Sequence, residues 1–448
     1  MEKKQKIVVL GGGESGVGVA VLANKKGLDV FLSDNNKIKD KYRRVLKHFE
    51  IDFEEGGHSR DKILQATEVV ISPGIPLVVP LIKDLVKKGV KVISEIEFAA
   101  RFTNAKTICI TGSNGKTTTT LLVYHILKDA GFNVGMAGNI GESFALQVAN
   151  HNFDYYVLEI SSFQLDSMYE FKADIAILLN ITPDHLDRYN YKFENYARSK
   201  FRIIQNQTQS DAFIYCADDK TIVQMMQQKN IKARCFPISL NDEDYEEGAC
   251  LKRNEIIIKS NKNHFSMTLE QLALQGRHNT YNSMAAGVAA KLLDIRNETV
   301  KQSLSDFQNI SHRLEYVSSV HGITFINDSK ATNVNSSWYA LEHYQKKIIW
   351  IAGGVDKGND YSSLHQLVKQ KVKAIVCLGL DNSKIHEEFA DYCDIIIDTE
   401  SAQEAVVNAY HLAKKGEIVL LSPSCASFDL FESYEDRGEQ FKEAVKAL

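Results

Sequence analysis

Short apolar runs that end in glycine-rich or polar turns and pass into helical stretches recur along the whole chain. That alternation leaves little choice but parallel α/β sheets with right-handed crossovers. The first segment has such runs at Ile7–Leu10, Leu28–Leu32, Val69–Ile71 and Val90–Ile93. The second has them at Thr107–Ile110, Tyr155–Ile160, Ile175–Leu179 and Phe213–Cys216. The third has them at Thr324–Asn327, Ile348–Ala352, Ala374–Leu378, Ile395–Ile397 and Ile418–Leu421. A chain of 448 residues exceeds one hydrophobic core. The expected division is therefore three α/β domains, 1–96, 97–309 and 310–448. The polar stretch from about 241 to 272 reads only as hairpin-like.

Composition narrows the function classes. With 44% hydrophobic residues, 25% charged residues and 6 prolines, the chain is neither disordered nor fibrous. Its net charge of -4 argues against a nucleic-acid partner, which normally leaves a basic excess. The seven cysteines form no C-x-x-C pair and read as buried, reduced thiols. Met1–Lys6 is charged and leads straight into a strand, unlike a secretory signal, and no apolar run approaches the ~18 residues of a membrane span. A cytoplasmic monomer without a membrane span is expected.

Two turns carry chemistry. Gly11-Gly12-Gly13-Glu14-Ser15-Gly16 fits G-x-G-x-x-G between a strand and a helix, with Asp34 at the end of the next strand. Glycines there let a diphosphate approach a helix N-terminus. Taken alone, the turn also suits a nicotinamide-dependent oxidoreductase, or a turn that only packs strand against helix. The second turn is more specific. Thr107–Ile110 leads into Thr111-Gly112-Ser113-Asn114-Gly115-Lys116-Thr117-Thr118 and a helix. Consecutive N–H groups can wrap phosphate oxygens, Lys116 adds a cation, and the Thr117 hydroxyl can hold Mg²⁺. The Gly-x-x-Gly-Lys-Thr spacing is a variant two residues tighter than the common Walker A loop.

Three further residues stand out. Glu159 ends the strand run after Tyr155, where a carboxylate is well placed to hold magnesium, with a helix cap or surface acid as the less favoured alternative. His185 lies in the turn after Ile175–Leu179, where packing rarely needs a polar ring; with Glu159 and Lys116 in the same segment a ligand role is favoured. Lys200 falls on the apolar stripe of Phe193, Tyr196, Ala197, Phe201 and Ile204, opposite Arg198 and Arg202. A buried ammonium either snorkels to water or loses its proton readily. Lys200 is thus open to three readings: a snorkelling lysine, a phosphate partner, or a neutral amine that takes up CO₂ as a carbamate and ligates a metal.

The combination TGSNGKTTTT, LEISSFQLD, NITPDHLDRY, a lysine fifteen residues past His185, and GRHNTYN resembles the Mur ligase family of peptidoglycan synthesis. The resemblance runs through all three segments in order. Asn327–Asn333 (NDSKATN), Ser72–Pro76 (SPGIP) and Leu421–Phe431 (LSPSCASFDLF) are similar to the members that join D-glutamate to UDP-N-acetylmuramoyl-L-alanine. Other members carry a D-Y-A-H-type motif where this chain has Asp328-Ser329-Lys330-Ala331.

The resemblance implies a central P-loop ATPase-type domain between two Rossmann-like domains, which bind the UDP substrate and the amino acid. It implies ATP, two Mg²⁺ sites and a carbamylated Lys200. Lys116, Glu159, His185 and Lys200 would be the catalytic set. Gly112, Ser113, Asn114, Gly115, Lys116, Thr117 and Thr118 would bind the ATP phosphates, and Asn279, Asn282, Arg313 and Asp328 the rest of the nucleotide. Thr117 and Glu159 would hold the first Mg²⁺; Glu159, His185 and the Lys200 carbamate would hold the second. Ser15, Gly16, Asp34, Gly74, Asn139 and His185 would contact the UDP substrate. Lys330, Thr332, Lys357, Ser427, Phe428 and Tyr434 would frame D-glutamate, with Lys357 and Ser427 on its carboxylates. Two departures stand out. Tyr434 occupies the place of a family phenylalanine, and Asn35-Asn36-Lys37 follow Asp34 without the arginine that some relatives have near uracil.

Overall fold

The structure, a computed structural model, describes residues 5–260, 263–307 and 311–448. The first four residues and the boundary expected at 309/310 lie outside the described residues. Each segment builds one sheet. The N-terminal strands are β1 (Lys6–Leu10), β2 (Asp29–Asp34), β3 (Asp52–Glu55), β4 (Glu68–Ile71) and β5 (Lys91–Ser94). They are all parallel, in the order β3-β2-β1-β4-β5. Helices cover both faces of such a sheet, which is why β1 is a continuous apolar run whose Ile7, Val8 and Val9 are fully buried.

The central sheet has nine strands: β6 (Lys106–Thr111), β7 (Val134–Gly138), β8 (Tyr155–Glu159), β9 (Ile175–Leu178), β10 (Ala212–Cys216), β11 (Arg234–Ser239), β12 (Gly248–Lys252), β13 (Glu255–Ser260) and β14 (Asn263–Thr268). Their order is β14-β13-β12-β11-β10-β9-β6-β8-β7, and only the β12–β13–β14 meander is antiparallel. That meander is the polar stretch near 241–272. Ile256 and Ile258 point inward while Glu255, Ile257 and Lys259 are at least partly exposed, the alternation of a sheet wet on one face.

The C-terminal strands are β15 (Glu315–Val320), β16 (Ile323–Asn327), β17 (Ile348–Gly353), β18 (Val372–Leu378), β19 (Ile396–Thr399) and β20 (Ile418–Ser424). Their order is β15-β16-β20-β17-β18-β19, with β15 alone antiparallel.

The described chain divides into two compact units. One takes the chain up to Ile181 and again Glu194–Phe307; the other takes Thr182–Phe193 and the C-terminal segment. Within the first unit, helix Glu14–Lys25 packs on helix Phe144–Asn150 so closely that a Cβ at Gly18 would stand 1.9 Å from Ser143 Oγ. The Glu97 carboxylate accepts the backbone N–H groups of Tyr169, Glu170 and Phe171, tying the two sheets of that unit together. Six of the seven cysteines are buried, Cys235 is exposed, and all are free. Among the described residues no helix is long and apolar enough to cross a membrane.

Candidate active site

The phosphate loop leaves β6 and enters helix Lys116–Asp129 through Gly112 and Gly115, whose φ values are +155° and +82°. Side chains avoid that region, and at Gly115 space also forbids one, since a Cβ would stand 2.4 Å from Asn282 Oδ1. Asn180, just past β9, holds the loop's shape. Its backbone oxygen accepts from Ser113 N at 3.0 Å, its Oδ1 accepts from Asn114 N at 2.8 Å, and its Nδ2 donates to Asn114 O at 3.1 Å.

Two lysines converge on this loop. Lys116 Nζ donates to the carbonyls of Gly112 and Ser113, both at 2.9 Å. Lys200, only 2% exposed on helix Phe193–Phe201, donates to the same Gly112 carbonyl at 2.8 Å, with its Nζ 4.7 Å from the centre of the Tyr196 ring. Ammonium groups sharing one neutral oxygen repel each other, and an anion seated between them turns that repulsion into attraction. A phosphate is the anion such a loop fits.

Glu159 stands beside the loop because β8 pairs with β6, placing Glu159 opposite Ile110. It is 1% exposed, and both its oxygens are engaged. Thr117 Oγ1 donates to Oε2 at 2.7 Å, and Asn139 Nδ2 donates to Oε1 at 2.8 Å. A hydroxyl and a carboxylate held side by side are the hard oxygen donors that Mg²⁺ takes. Helix Arg277–Leu292 closes the other side. Its buried Asn282 accepts from Thr119 Oγ1 and donates to Asn279 Oδ1, both at 3.2 Å. The first unit therefore gathers Gly112 through Thr118, Asn139, Glu159, Lys200, Asn279 and Asn282. Sequence reasoning gave no role to Asn180 or to Tyr196, whose hydroxyl lies 3.1 Å from Ser113 Oγ.

The N-terminal glycine turn is a built structure. Gly12 N donates to Asp34 Oδ2 at 2.5 Å and Asn36 N to Oδ1 at 2.7 Å, so the acid closes the turn. A Cβ at Gly16 would stand 1.8 Å from Gly11 O, so no larger residue fits. Ser15 opens the following helix, and Gly74 is exposed in the turn after β4.

The remaining expected residues lie in the second unit. His185 belongs to Thr182–Phe193, which folds with the C-terminal segment although the sequence places it after β9. It adopts a left-handed φ of 52°, with its N–H donating to Asp184 Oδ1 at 2.9 Å. Asp184 also accepts from Asn333 Nδ2 at 3.2 Å and lies 3.9 Å from Lys357 Nζ. Lys330 Nζ sits 5.2 Å from the centre of the Tyr434 ring, and Thr332 N donates to Lys330 O at 2.9 Å. Ser427 is buried, whereas Phe428 is 74% exposed.

Arg437 was not foreseen. It is fully buried and donates to Ser329 Oγ and O, Cys425 O and Gly353 O, joining the loops that follow β16, β20 and β17. Burial pushes its pKa down to about 10. The signal was available. Arg437, Phe441 and Val445 share one buried stripe of helix Tyr434–Lys446, as Lys200 shares one with Tyr196.

Asp328 is 1% exposed and accepts from Leu314 N at 3.2 Å and Ser422 Oγ at 2.9 Å. Burial pushes its pKa up to about 6, against the charge of Arg313 and these two bonds. Because the folded-state value is raised, the residue's cost to stability is absent below about pH 4 and fully present above about pH 6. Asp328→Asn, with its amide able to meet the Ser422 hydroxyl, should abolish that dependence. Denaturant titrations should then show wild type gaining about 2–3 kcal/mol relative to the variant between pH 7 and pH 4. Parallel curves for the two proteins would rule this out.

Comparison with known proteins gives the chain's family. Residues 5–94 match the MurD-like N-terminal domain of Mur ligases, 110–290 the Mur ligase middle domain, and 312–425 the Mur ligase glutamate ligase domain. The chain is 57% identical over 445 residues to the UDP-N-acetylmuramoylalanine--D-glutamate ligase of Bacteroides fragilis, covering 99% of this chain and 100% of that one. It is 55% identical to the enzyme of the same name from Christiangramia forsetii, with the same coverage. Among solved structures, a pseudomurein peptide ligase type C from Methanothermus fervidus shares the fold at TM-score 0.62 and 21% identity, covering 99% of this chain and 100% of that one. The UDP-N-acetylmuramate-alanine ligase of Thermotoga maritima shares it at TM-score 0.61 and 18% identity, covering 99% of both chains.

Proposed function

This chain belongs to the Mur ligase family, and from that membership we propose that it joins D-glutamate to UDP-N-acetylmuramoyl-L-alanine, consuming ATP, in peptidoglycan precursor synthesis. Full-length relatives at 55–57% identity carry that activity in their names. The observation that carries the chemistry is the convergence of Lys116 and Lys200 on Gly112, beside the Thr117–Glu159 pair. The protein acts as a monomer in the cytoplasm, with region 1–96 for the UDP end, 97–309 for ATP and 310–448 for the amino acid.

The reaction has two steps. A carboxylate oxygen of the UDP substrate attacks the γ-phosphorus of ATP, the bond to ADP breaks, and an acyl phosphate forms. The unprotonated amine of D-glutamate then attacks the acyl carbon; phosphate leaves, a proton is lost, and an amide remains. The loop N–H groups and Lys116 hold the transferred phosphoryl group while charge spreads over its oxygens. Thr117 and Glu159 would hold one Mg²⁺, and Glu159 with a carbamylated Lys200 would offer oxygens to a second. Bound there, the metal withdraws charge from the phosphoryl oxygens. No covalent bond to the protein is needed, so the acceleration comes from positioning and electrostatics.

Lys357 and Ser427 hold the D-glutamate carboxylates. Lys357→Ala removes a charged hydrogen bond worth about 1.5–3 kcal/mol, so the KM for D-glutamate should rise roughly 10- to 100-fold while that for ATP barely moves. Steady-state kinetics in each substrate check this, and equal changes in both constants would remove Lys357 from the amino-acid site. The activity itself is tested by phosphate release from ATP with UDP-N-acetylmuramoyl-L-alanine. Release should require D-glutamate and fail with L-glutamate, L-alanine and L-lysine. Release with another amino acid would assign a different ligase, and a nicotinamide absorbance change without ATP consumption would assign an oxidoreductase.

A further inference from the structure

Cys377 and Asp398 are register partners in the adjacent parallel strands β18 and β19, so their side chains leave the same face of the sheet. Helix Ser383–Phe389 lies against that face and lowers His386 onto it, with Nε2 at 3.0 Å and 3.1 Å from the two Asp398 oxygens. One ligand atom from each of Cys377, His386 and Asp398 lies within 4.8 Å of the other two. His386 and Asp398 line a cavity of about 720 Å³ whose walls also include Asp381, Glu400 and Glu404. In the same wall, Asn382 Oδ1 is buried and has no hydrogen-bond partner among the described residues.

The ligase reaction proposed above uses none of these residues. We propose that they form a site for a divalent transition metal of the zinc class, with Cys377, His386 and Asp398 as protein ligands and water from the cavity completing the shell. The donor set selects the ion. A thiolate with an imidazole suits zinc and its neighbours, whereas Mg²⁺ and Ca²⁺ take oxygen alone. Burial is graded in the sense that entry requires. The Cys377 thiol is fully buried, while its neighbours His386 and Asp398 are 40% and 58% exposed on the cavity wall. Carboxylates around the cavity raise the local concentration of cations. On binding, the sulfur–metal bond forms as the thiol proton leaves to solvent.

Co²⁺ serves as the probe, because a cobalt–thiolate bond absorbs in the near ultraviolet and aqueous Co²⁺ does not. The full-length protein should bind one Co²⁺ per chain with that band, in the presence of excess Mg²⁺, and Zn²⁺ should displace it. Cys377→Ser should abolish the band. His386→Gln, on a half-exposed position that leaves folding intact, should weaken binding by at least ~10-fold. Absence of the band in wild type would overturn the assignment, as would a band that survives unchanged in His386→Gln.

Discussion

Lys116→Ala lowers turnover by about 10²- to 10³-fold, the loss expected when one preorganised group facing the developing charge is removed, worth about 3–4 kcal/mol. The position explains the size. Lys116 opens the helix that follows the phosphate loop, and its Nζ is held against the Gly112 and Ser113 carbonyls. The cation is thus oriented in advance and costs little reorganisation during phosphoryl transfer. Folding should survive, because alanine is favourable in a helix and the loop keeps its clasp through Asn180. Single-turnover phosphate release, alongside an unchanged melting profile, separates lost chemistry from lost structure. Near-normal turnover would remove the loop from the mechanism.

Strands buried on both faces were legible in the sequence because burial demands apolar runs. β1, β4, β6, β8 and β9 all read that way. The strands that escaped notice obey other constraints. β3 (Asp-Phe-Glu-Glu), β7 (Val-Gly-Met-Ala-Gly) and β15 lie at sheet edges, where one side needs no apolar neighbour. β11 holds Pro237 in mid-strand, which disguises it as a turn. The phosphate loop and Glu159 were legible for a related reason: a functional turn at a strand end is local in sequence. Asn180 clasps the loop from 66 positions away, a contact that no local pattern encodes. The Thr182–Phe193 segment was misleading in the same way. Its sequence neighbours are central, yet Asp184 and His185 fold with Asn333 and Lys357.

Lys200→Ala should cost turnover comparably, roughly 10²-fold or more, and here the pattern of recovery matters more than the loss. The side chain occupies a buried site on Gly112, the carbonyl that Lys116 also uses, so its charge bears directly on the phosphate loop. If its ammonium gives up one proton and the amine then takes up CO₂, a nitrogen–carbon bond forms, a second proton leaves, and the group changes from cation to anion. An anion there complements Lys116 and supplies oxygens for a metal, which a plain ammonium cannot do. A short carboxylic acid entering the space left by alanine supplies the same charge without the tether. Formate or acetate should therefore restore part of the activity, and the missing part is the entropy of holding a free molecule in place. Wild type assayed in buffer stripped of CO₂ should slow and recover with bicarbonate, while Lys200→Ala should ignore bicarbonate. Wild-type-like turnover in Lys200→Ala would discard the carbamate. A loss that no carboxylic acid relieves, in an enzyme indifferent to CO₂, would leave Lys200 as a phosphate-pairing ammonium.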